Sequence, residues 1–144
     1  MQIRLADGTI LECISIFGKK GHYQGANREF LEFHISPETC SFEQLDQLTG
    51  DSGSTHRIYI IDDNGDEFLH EHFVIRKELA LKQVEVSPET ADAPAQYETR
   101  IIVELAQLTY AEVQLQQLQE ADLDNKEAIA TLYEMFLGGS VIHG

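Results

Sequence analysis

The sequence has few of the residues that mark several specialised classes of protein. It contains 144 residues, with 2 cysteines, 3 prolines and no tryptophan. Cys13 and Cys40 are too few for a disulfide scaffold and lack a short metal-type spacing, so we expect two buried or half-buried free thiols. No apolar run approaches the ~20 residues of a membrane-spanning helix, and Met1 leads into a polar strand pattern without a signal sequence. The sequence therefore predicts a small soluble protein made in the cytoplasm, with no membrane partner.

Basic residues are also scarce. There are 25 acidic residues against 10 basic ones, which gives a formal net charge of −15. A charge of this sign repels the phosphate backbone of nucleic acids at long range. The composition therefore argues against direct binding of nucleic acid.

The usual catalytic motifs are missing from the sequence. It contains no nucleophile elbow, zinc-protease helix, phosphate-binding glycine loop or dinucleotide fingerprint. We therefore predict no enzymatic activity and no cofactor.

Two short clusters are candidates for metal binding. The Asp62–Asp66 segment resembles a calcium loop, but Glu67 and Phe73 stand where such a loop needs glycine and an acidic residue, so we interpret it as a solvated turn. His70 and His72 share a face of an extended segment, and two imidazoles at that spacing can share a zinc ion. No third ligand is identifiable, and ordinary surface or packed histidines are the alternative. We assign no metal site.

Alternating apolar residues predict a β-rich head over residues 1–107. The Asp7-Gly8 and Asn64-Gly65 pairs are typical of tight hairpin turns. Ser41 followed by Gln44 predicts a capped short helix. The glycines between residues 18 and 25, with the lysines beside them, predict a flexible hairpin loop before the strand from Phe30 to Ile35.

A change of apolar phase marks the end of the head. The odd positions Phe73, Ile75, Leu79 and Leu81 form one apolar face, then the apolar phase shifts to Val84 and Val86. This shift indicates a bulge, or a strand that leaves one sheet for another. Ser87 to Gln96 is predicted to be a loop, and Tyr97 to Gln107 a strand that pairs with the preceding one.

After residue 107 the apolar period changes from two to about three and a half. This spacing predicts a helix over 108–138, followed by a tail over 139–144. The helix carries a narrow apolar stripe, which we call the seam and expect to meet copies of itself. The seam consists of Leu108, Ala111, Leu115, Leu118, Asp122, Asn125, Ile129, Leu132 and Phe136.

Three arrangements of this helix are open. It projects as a coiled coil, which the narrow stripe favours, or it packs on the head of its own chain, or it breaks into a helical hairpin. Asp122 and Asn125 either form a buried polar layer or mark that break. We therefore predict the fold class α+β, a mainly antiparallel β head domain with one short helix, followed by a long C-terminal helix of coiled-coil type.

Four segments of the sequence resemble small structural proteins from the tail modules of tailed bacteriophages and prophages. They are Ile3-Arg4-Leu5-Ala6-Asp7-Gly8-Thr9, Tyr23-Gln24-Gly25-Ala26-Asn27-Arg28, Leu105-Ala106-Gln107-Leu108-Thr109-Tyr110-Ala111-Glu112 and Ala130-Thr131-Leu132-Tyr133-Glu134-Met135-Phe136-Leu137-Gly138-Gly139. The resemblance implies a non-enzymatic component of the tail or baseplate.

Two functions follow as hypotheses. The first is a virion structural protein that self-assembles through its C-terminal helix as a homo-oligomer, with a trimer as our guess. Its partners are other virion or tail proteins, and its location is the bacterial cytoplasm during synthesis and then the virion. The alternative is a monomeric ligand- or metal-binding module whose helix packs on its own β domain, with His70, His72 and Tyr97 as possible lining residues.

Overall fold

A computed structural model describes residues 1–121, and about half of them lie in β-strands. The chain divides into two compact units, Met1–Gln107 and a second that begins at Leu108. The strands are β1 (Gln2–Arg4), β2 (Ile10–Glu12), β3 (Ser15–Tyr23), β4 (Ala26–Ile35), β5 (Arg57–Ile61), β6 (Glu67–Glu71), β7 (Ile75–Ser87) and β8 (Gln96–Ala106). The helices are α1 (Phe42–Gly50), α2 (Ser52–Thr55) and α3 (Tyr110–Ala121).

The strands of the first unit form two four-stranded antiparallel sheets. Sheet I has the order β2-β1-β5-β6, and sheet II has the order β3-β4-β8-β7. The hairpins predicted at Asp7-Gly8 and Asn64-Gly65 join β1 to β2 and β5 to β6. Both turns place their glycine at positive φ, 91° for Gly8 and 84° for Gly65, as a tight turn requires.

The core lies on one face of each sheet. In sheet II, Leu31, Phe33 and Ile35 of β4 stand opposite Leu105, Val103 and Ile101 of β8 in register. Successive strand residues point to opposite faces, so these alternate positions share one apolar face. Sheet I adds Ile3 and Ile58 to the same core. That face excludes water and fixes the register of β4 against β8.

The capped short helix predicted from Ser41 and Gln44 is present as α1. The Ser41 side chain accepts a hydrogen bond from the Gln44 backbone N–H, and the Gln44 side chain reaches back to the Ser41 backbone N–H. This reciprocal arrangement satisfies two of the amide donors that a helix start leaves unpaired.

The glycine-containing segment from residue 18 to residue 28 is a hairpin, as predicted, but most of it is paired strand rather than flexible loop. β3 pairs with β4 without interruption from Ser15 opposite His34 to Tyr23 opposite Ala26. Gln24 and Gly25 form the turn with φ angles of 48° and 79°. Positive φ at both central residues is the geometry of the type I′ turn, which matches the right-handed twist of the flanking strands.

We expect Gly25→Ala to destabilise the fold by about 1–2 kcal/mol, because an L-residue with a Cβ is strained at positive φ. The matched control is Gly18→Ala in β3, where the backbone is not left-handed and an added Cβ meets nothing within 4 Å. Urea unfolding of both variants measures the difference. Equal stability of the two variants would contradict the turn geometry.

The predicted fold class, α+β with a long C-terminal helix of coiled-coil type, is wrong. The described chain is mainly β, and its three helices are all short. The part of the predicted helix that is described, α3, has 12 residues, a length of about 18 Å at 1.5 Å per residue. An apolar 3-4 repeat defines a stripe but not how far a helix extends. Strands β3 and β4 also run farther than predicted, since they extend into the predicted loop, where pairing holds glycines and charged residues in extended form.

Candidate assembly site

The distal part of the β7–β8 hairpin projects beyond its sheet. β4 pairs with β8 only from Ile101 to Ala106, whereas β7 pairs with β8 along its whole length, from Gln96 to Ala106. Residues 82–87 and 96–100 therefore pair only with each other within the described chain, and we call this segment the ribbon. Six residues at about 3.3 Å each give it a reach of about 20 Å.

The ribbon exposes apolar side chains. Val86 is 46% exposed and Tyr97 is 60% exposed, and Leu81 at the base of the ribbon is 57% exposed. The bulge predicted between Leu81 and Val84 is not found there, since these residues pair with β8 in regular register. The register shifts instead between Glu85 and Ser87, which leaves Val86 without a directly opposed residue. A two-stranded ribbon on its own is marginally stable in water. The ribbon is therefore suited to contact another protein surface.

The residues of the predicted seam fall into two groups. Ala111, Leu115 and Leu118 lie on α3 and are half-buried, and Leu108 lies just before the helix. Asp122, Asn125, Ile129, Leu132 and Phe136 lie outside the described residues. Their meeting with copies of themselves stays a prediction.

The outer face of sheet II, opposite the core face, carries a cluster of charged side chains. The Lys19 amine donates a hydrogen bond to Glu32 at 2.6 Å, and His34 Nε2 lies 2.9 Å from the other Glu32 oxygen. Glu104, only 6% exposed, lies 3.5 Å from Lys77 and 3.9 Å from Lys19. These contacts join all four strands of the sheet through paired charges, so neither the half-buried Glu32 nor the buried Glu104 is an isolated charge.

Two opposing influences act on Glu32. Burial opposes its ionisation, but hydrogen bonds from Lys19 and His34 together outweigh burial and hold the pKa of the carboxyl below its ordinary value of 4.5. The same contact raises the pKa of the Lys19 amine. The folded state therefore favours the ionised pair at neutral pH.

This pair predicts a pH dependence of stability. A carboxyl whose pKa is lowered by folding stabilises the fold above about 4.5, and the contribution is lost as pH falls through the lowered value. We expect Glu32→Gln to be less stable than the wild type at neutral pH, with a difference that shrinks on acidification. Urea unfolding at neutral pH and well below 4.5 measures this, with exposed Glu38→Gln as control. A constant difference between wild type and Glu32→Gln across this range would contradict the assignment.

His70 lines a shallow cleft of about 260 Å³, together with Gly18, Lys20, Leu31 and Phe73 among others. Its ring packs against Phe73 with ring centroids 5.9 Å apart. Neither His72 nor Tyr97 lines this cleft. His72 has a φ of 69°, so the segment is not extended there and the predicted common face of the two histidines is broken.

The described residues contain no group of three or more potential metal ligands. In the Asp62–Asp66 segment, one Asp62 carboxylate oxygen accepts hydrogen bonds from the backbone N–H groups of Asn64 and Asp66, both at 2.9 Å. The carboxylate thus organises the turn itself, which agrees with our interpretation of the segment as a turn.

Both cysteines are free and buried, as expected. Burial raises the pKa of the Cys13 thiol to about 12, and burial also raises the pKa of Cys40. Both thiols are therefore protonated at neutral pH and are poor nucleophiles.

Arg28 is a structural residue that the sequence did not reveal. It is 5% exposed, and its guanidinium donates to the carbonyls of Tyr23 at 2.8 Å, Gln24 at 3.1 Å and Gln107 at 3.1 Å. These bonds tie the β3–β4 turn to the end of the first unit. The sequence could not reveal these hydrogen bonds, because their acceptors are backbone oxygens, which every residue has.

Comparisons with protein-family models, curated proteins and solved structures give no significant match. Within residues 1–121, none of the helices combines the length and the apolarity needed to span a bilayer.

Proposed function

We propose that the protein is a non-enzymatic structural component of a phage or prophage tail or baseplate, which assembles with copies of itself and with other virion proteins. The observation that carries the proposal is the ribbon, which projects from sheet II and exposes Val86 and Tyr97. The resemblance of the sequence to proteins of phage tail modules is the reason for proposing a tail or baseplate as the assembly.

The physical argument for a protein partner rests on surface and charge. Apolar side chains at a projecting tip are partly removed from water when another protein covers them, and each buried aromatic ring contributes to binding. The net charge of −15 disfavours nucleic acid and anionic lipid as the covering surface. A protein surface that is less acidic than this chain can cover the apolar side chains without strong charge repulsion. The chain is then made in the cytoplasm of the bacterial host and incorporated into the virion.

The test is whether the chain is part of a particle. A strain that carries the gene is induced to release tail-like particles, which are purified by density and labelled with gold-linked antibody against the chain. We expect the label at the tail or baseplate. Purified particles that lack the chain, while the chain remains in the soluble fraction, would overturn the proposal.

Tyr97 gives a matched pair of variants for the same experiment. Tyr97→Phe keeps the ring, whereas Tyr97→Ser removes it, and at 60% exposure neither change is expected to alter folding much. We expect Tyr97→Phe to enter particles normally and Tyr97→Ser to enter several-fold less. Equal incorporation of the two variants would exclude the ribbon as the contact surface.

A further inference from the structure

Strand β7 forms an edge of sheet II. It pairs with β8 on one side, and no other strand within the described residues pairs with it on the other side. Its pairing is interrupted by irregularities between Arg76 and Glu78 and between Glu85 and Ser87. The stretch from Glu78 to Glu85 between them is regular. Bulges are a device that limits pairing at a sheet edge, so the regular stretch is where an edge contact can form.

The register shows which β7 amides point outward. The Gln107 N–H donates to the Glu29 carbonyl at 2.9 Å, in line with the register in which Phe30 stands opposite Ala106. Odd-numbered residues of β8 therefore bond to β4, and even-numbered residues of β8 bond to β7, because backbone groups alternate sides along a strand.

Applied to β7, this alternation separates two sets of residues. Ala80 stands opposite Ile102 and Lys82 opposite Arg100, so their backbone groups bond to β8. The N–H and C=O groups of Leu79, Leu81 and Gln83 then point away from the sheet. They form a row of donors and acceptors to which a further antiparallel strand can bond.

The side chains along this edge are complementary to those of a second β7 strand that runs antiparallel to it. Leu79 and Leu81 lie on one face of the strand, and Leu81 is 57% exposed. Glu78 and Lys82 lie on the other face, one on each side of Ala80, with a mutual contact of 2.7 Å. Reversing the strand about Ala80 exchanges leucine with leucine and acid with base.

We propose that β7 pairs antiparallel with β7 of a second copy about a two-fold axis at Ala80. Leu79 then stands opposite Leu81 of the second copy, and the outward amides of these two residues bond across the interface. Glu78 stands opposite Lys82 of the second copy, and the symmetry repeats both pairs. Sheet II of one copy and sheet II of the other then form one continuous eight-stranded sheet. The inference rests on the proposed function, since it supplies an interface for self-assembly.

The charges select this register among the alternatives. An axis at Lys82 or at Glu78 sets a like charge directly opposite itself, which is destabilising. An axis at Leu79 or Leu81 leaves both charges without an oppositely charged residue across the interface. The axis at Ala80 pairs both charges and both leucines, so a second copy fits this edge better than an arbitrary strand does.

The test is the solution mass of the full chain by sedimentation velocity over a range of concentrations. We expect the wild type to form a dimer of the 16.3 kDa chain. In Lys82→Glu, two acidic pairs face each other, and the dimer dissociation constant is expected to rise about tenfold or more. The double variant Glu78→Lys/Lys82→Glu restores opposite pairs with the net charge of the wild type, and we expect it to dimerise again.

Three outcomes would overturn the proposal: a wild-type monomer at all concentrations, a Lys82→Glu variant with wild-type affinity, or a double variant that is no better than Lys82→Glu. Circular dichroism of each variant establishes that the fold is kept. The result is distinguishable from the test of the proposed function, because a monomer that labels phage tails overturns only the dimer, and a dimer absent from particles overturns only the function.

Discussion

Replacing Phe33 by alanine is expected to destabilise the protein by about 3–5 kcal/mol, the cost of removing a buried aromatic ring and leaving a cavity. Phe33 is 1% exposed and lies at the centre of sheet II, between Ile16 of β3 and Val103 of β8 in register. Loss of its ring therefore loosens three strands together. Urea unfolding followed by circular dichroism measures the change.

Phe17→Ala is the matched control for Phe33→Ala. Phe17 is also in sheet II, but it lies on the outer face and is 46% exposed, with its ring edge-on to His34. We expect a loss of about 1 kcal/mol or less, since most exposed substitutions change stability little. If the two substitutions cost the same, the assignment of the core face of sheet II is wrong.

Replacing Arg28 by alanine is expected to cost about 2–4 kcal/mol. The substitution removes a buried guanidinium that donates to three backbone carbonyls, and hydrogen bonds to charged groups are worth about 1.5–3 kcal/mol each before the freed carbonyls regain water. Thermal and urea unfolding measure the loss.

Arg28→Lys separates geometry from charge. Lysine keeps the charge, but its single amine lacks the forked donor geometry that reaches carbonyls on separate segments. We expect it to recover less than half of the loss seen with alanine. Full recovery by lysine would show that the charge alone matters and that the three directed bonds do not.

Features coded by adjacent residues could be predicted from the sequence. The Asp7-Gly8 and Asn64-Gly65 turns and the Ser41 capping box each need only a few neighbouring residues, so their physics is local. The pairing of β7 with β8 also followed from alternation of apolar residues on either side of a polar loop.

Features that depend on distant partners could not be predicted in the same way. The β3–β4 hairpin contains glycines and lysines with low β propensity, and pairing with β4 overrides that propensity. The buried state of Arg28 depends on a carbonyl 79 residues away. The described part of the predicted C-terminal helix is the 12 residues of α3, and an apolar repeat defines a stripe without defining where a helix ends.

The candidate site was also missed for a physical reason. The sequence alone indicated the seam as the candidate site, because the regular spacing of its apolar residues is visible along the chain. The ribbon and the edge of β7 emerge only from the register between strands, which decides how far β8 extends past Ile101 and which amides of β7 point outward. Register is a property of pairs of strands, and neither strand alone contains it.

The central claim is that the edge of β7 is covered by a second copy, and hydrogen exchange at single amides tests it most directly. At concentrations that favour assembly, we predict that the Leu79 and Leu81 amides exchange slowly in the wild type and quickly in Lys82→Glu. The Ala80 amide, which bonds to β8, stays protected in both. Rapid exchange of Leu79 and Leu81 in the wild type, at the rate seen in Lys82→Glu, would contradict the account.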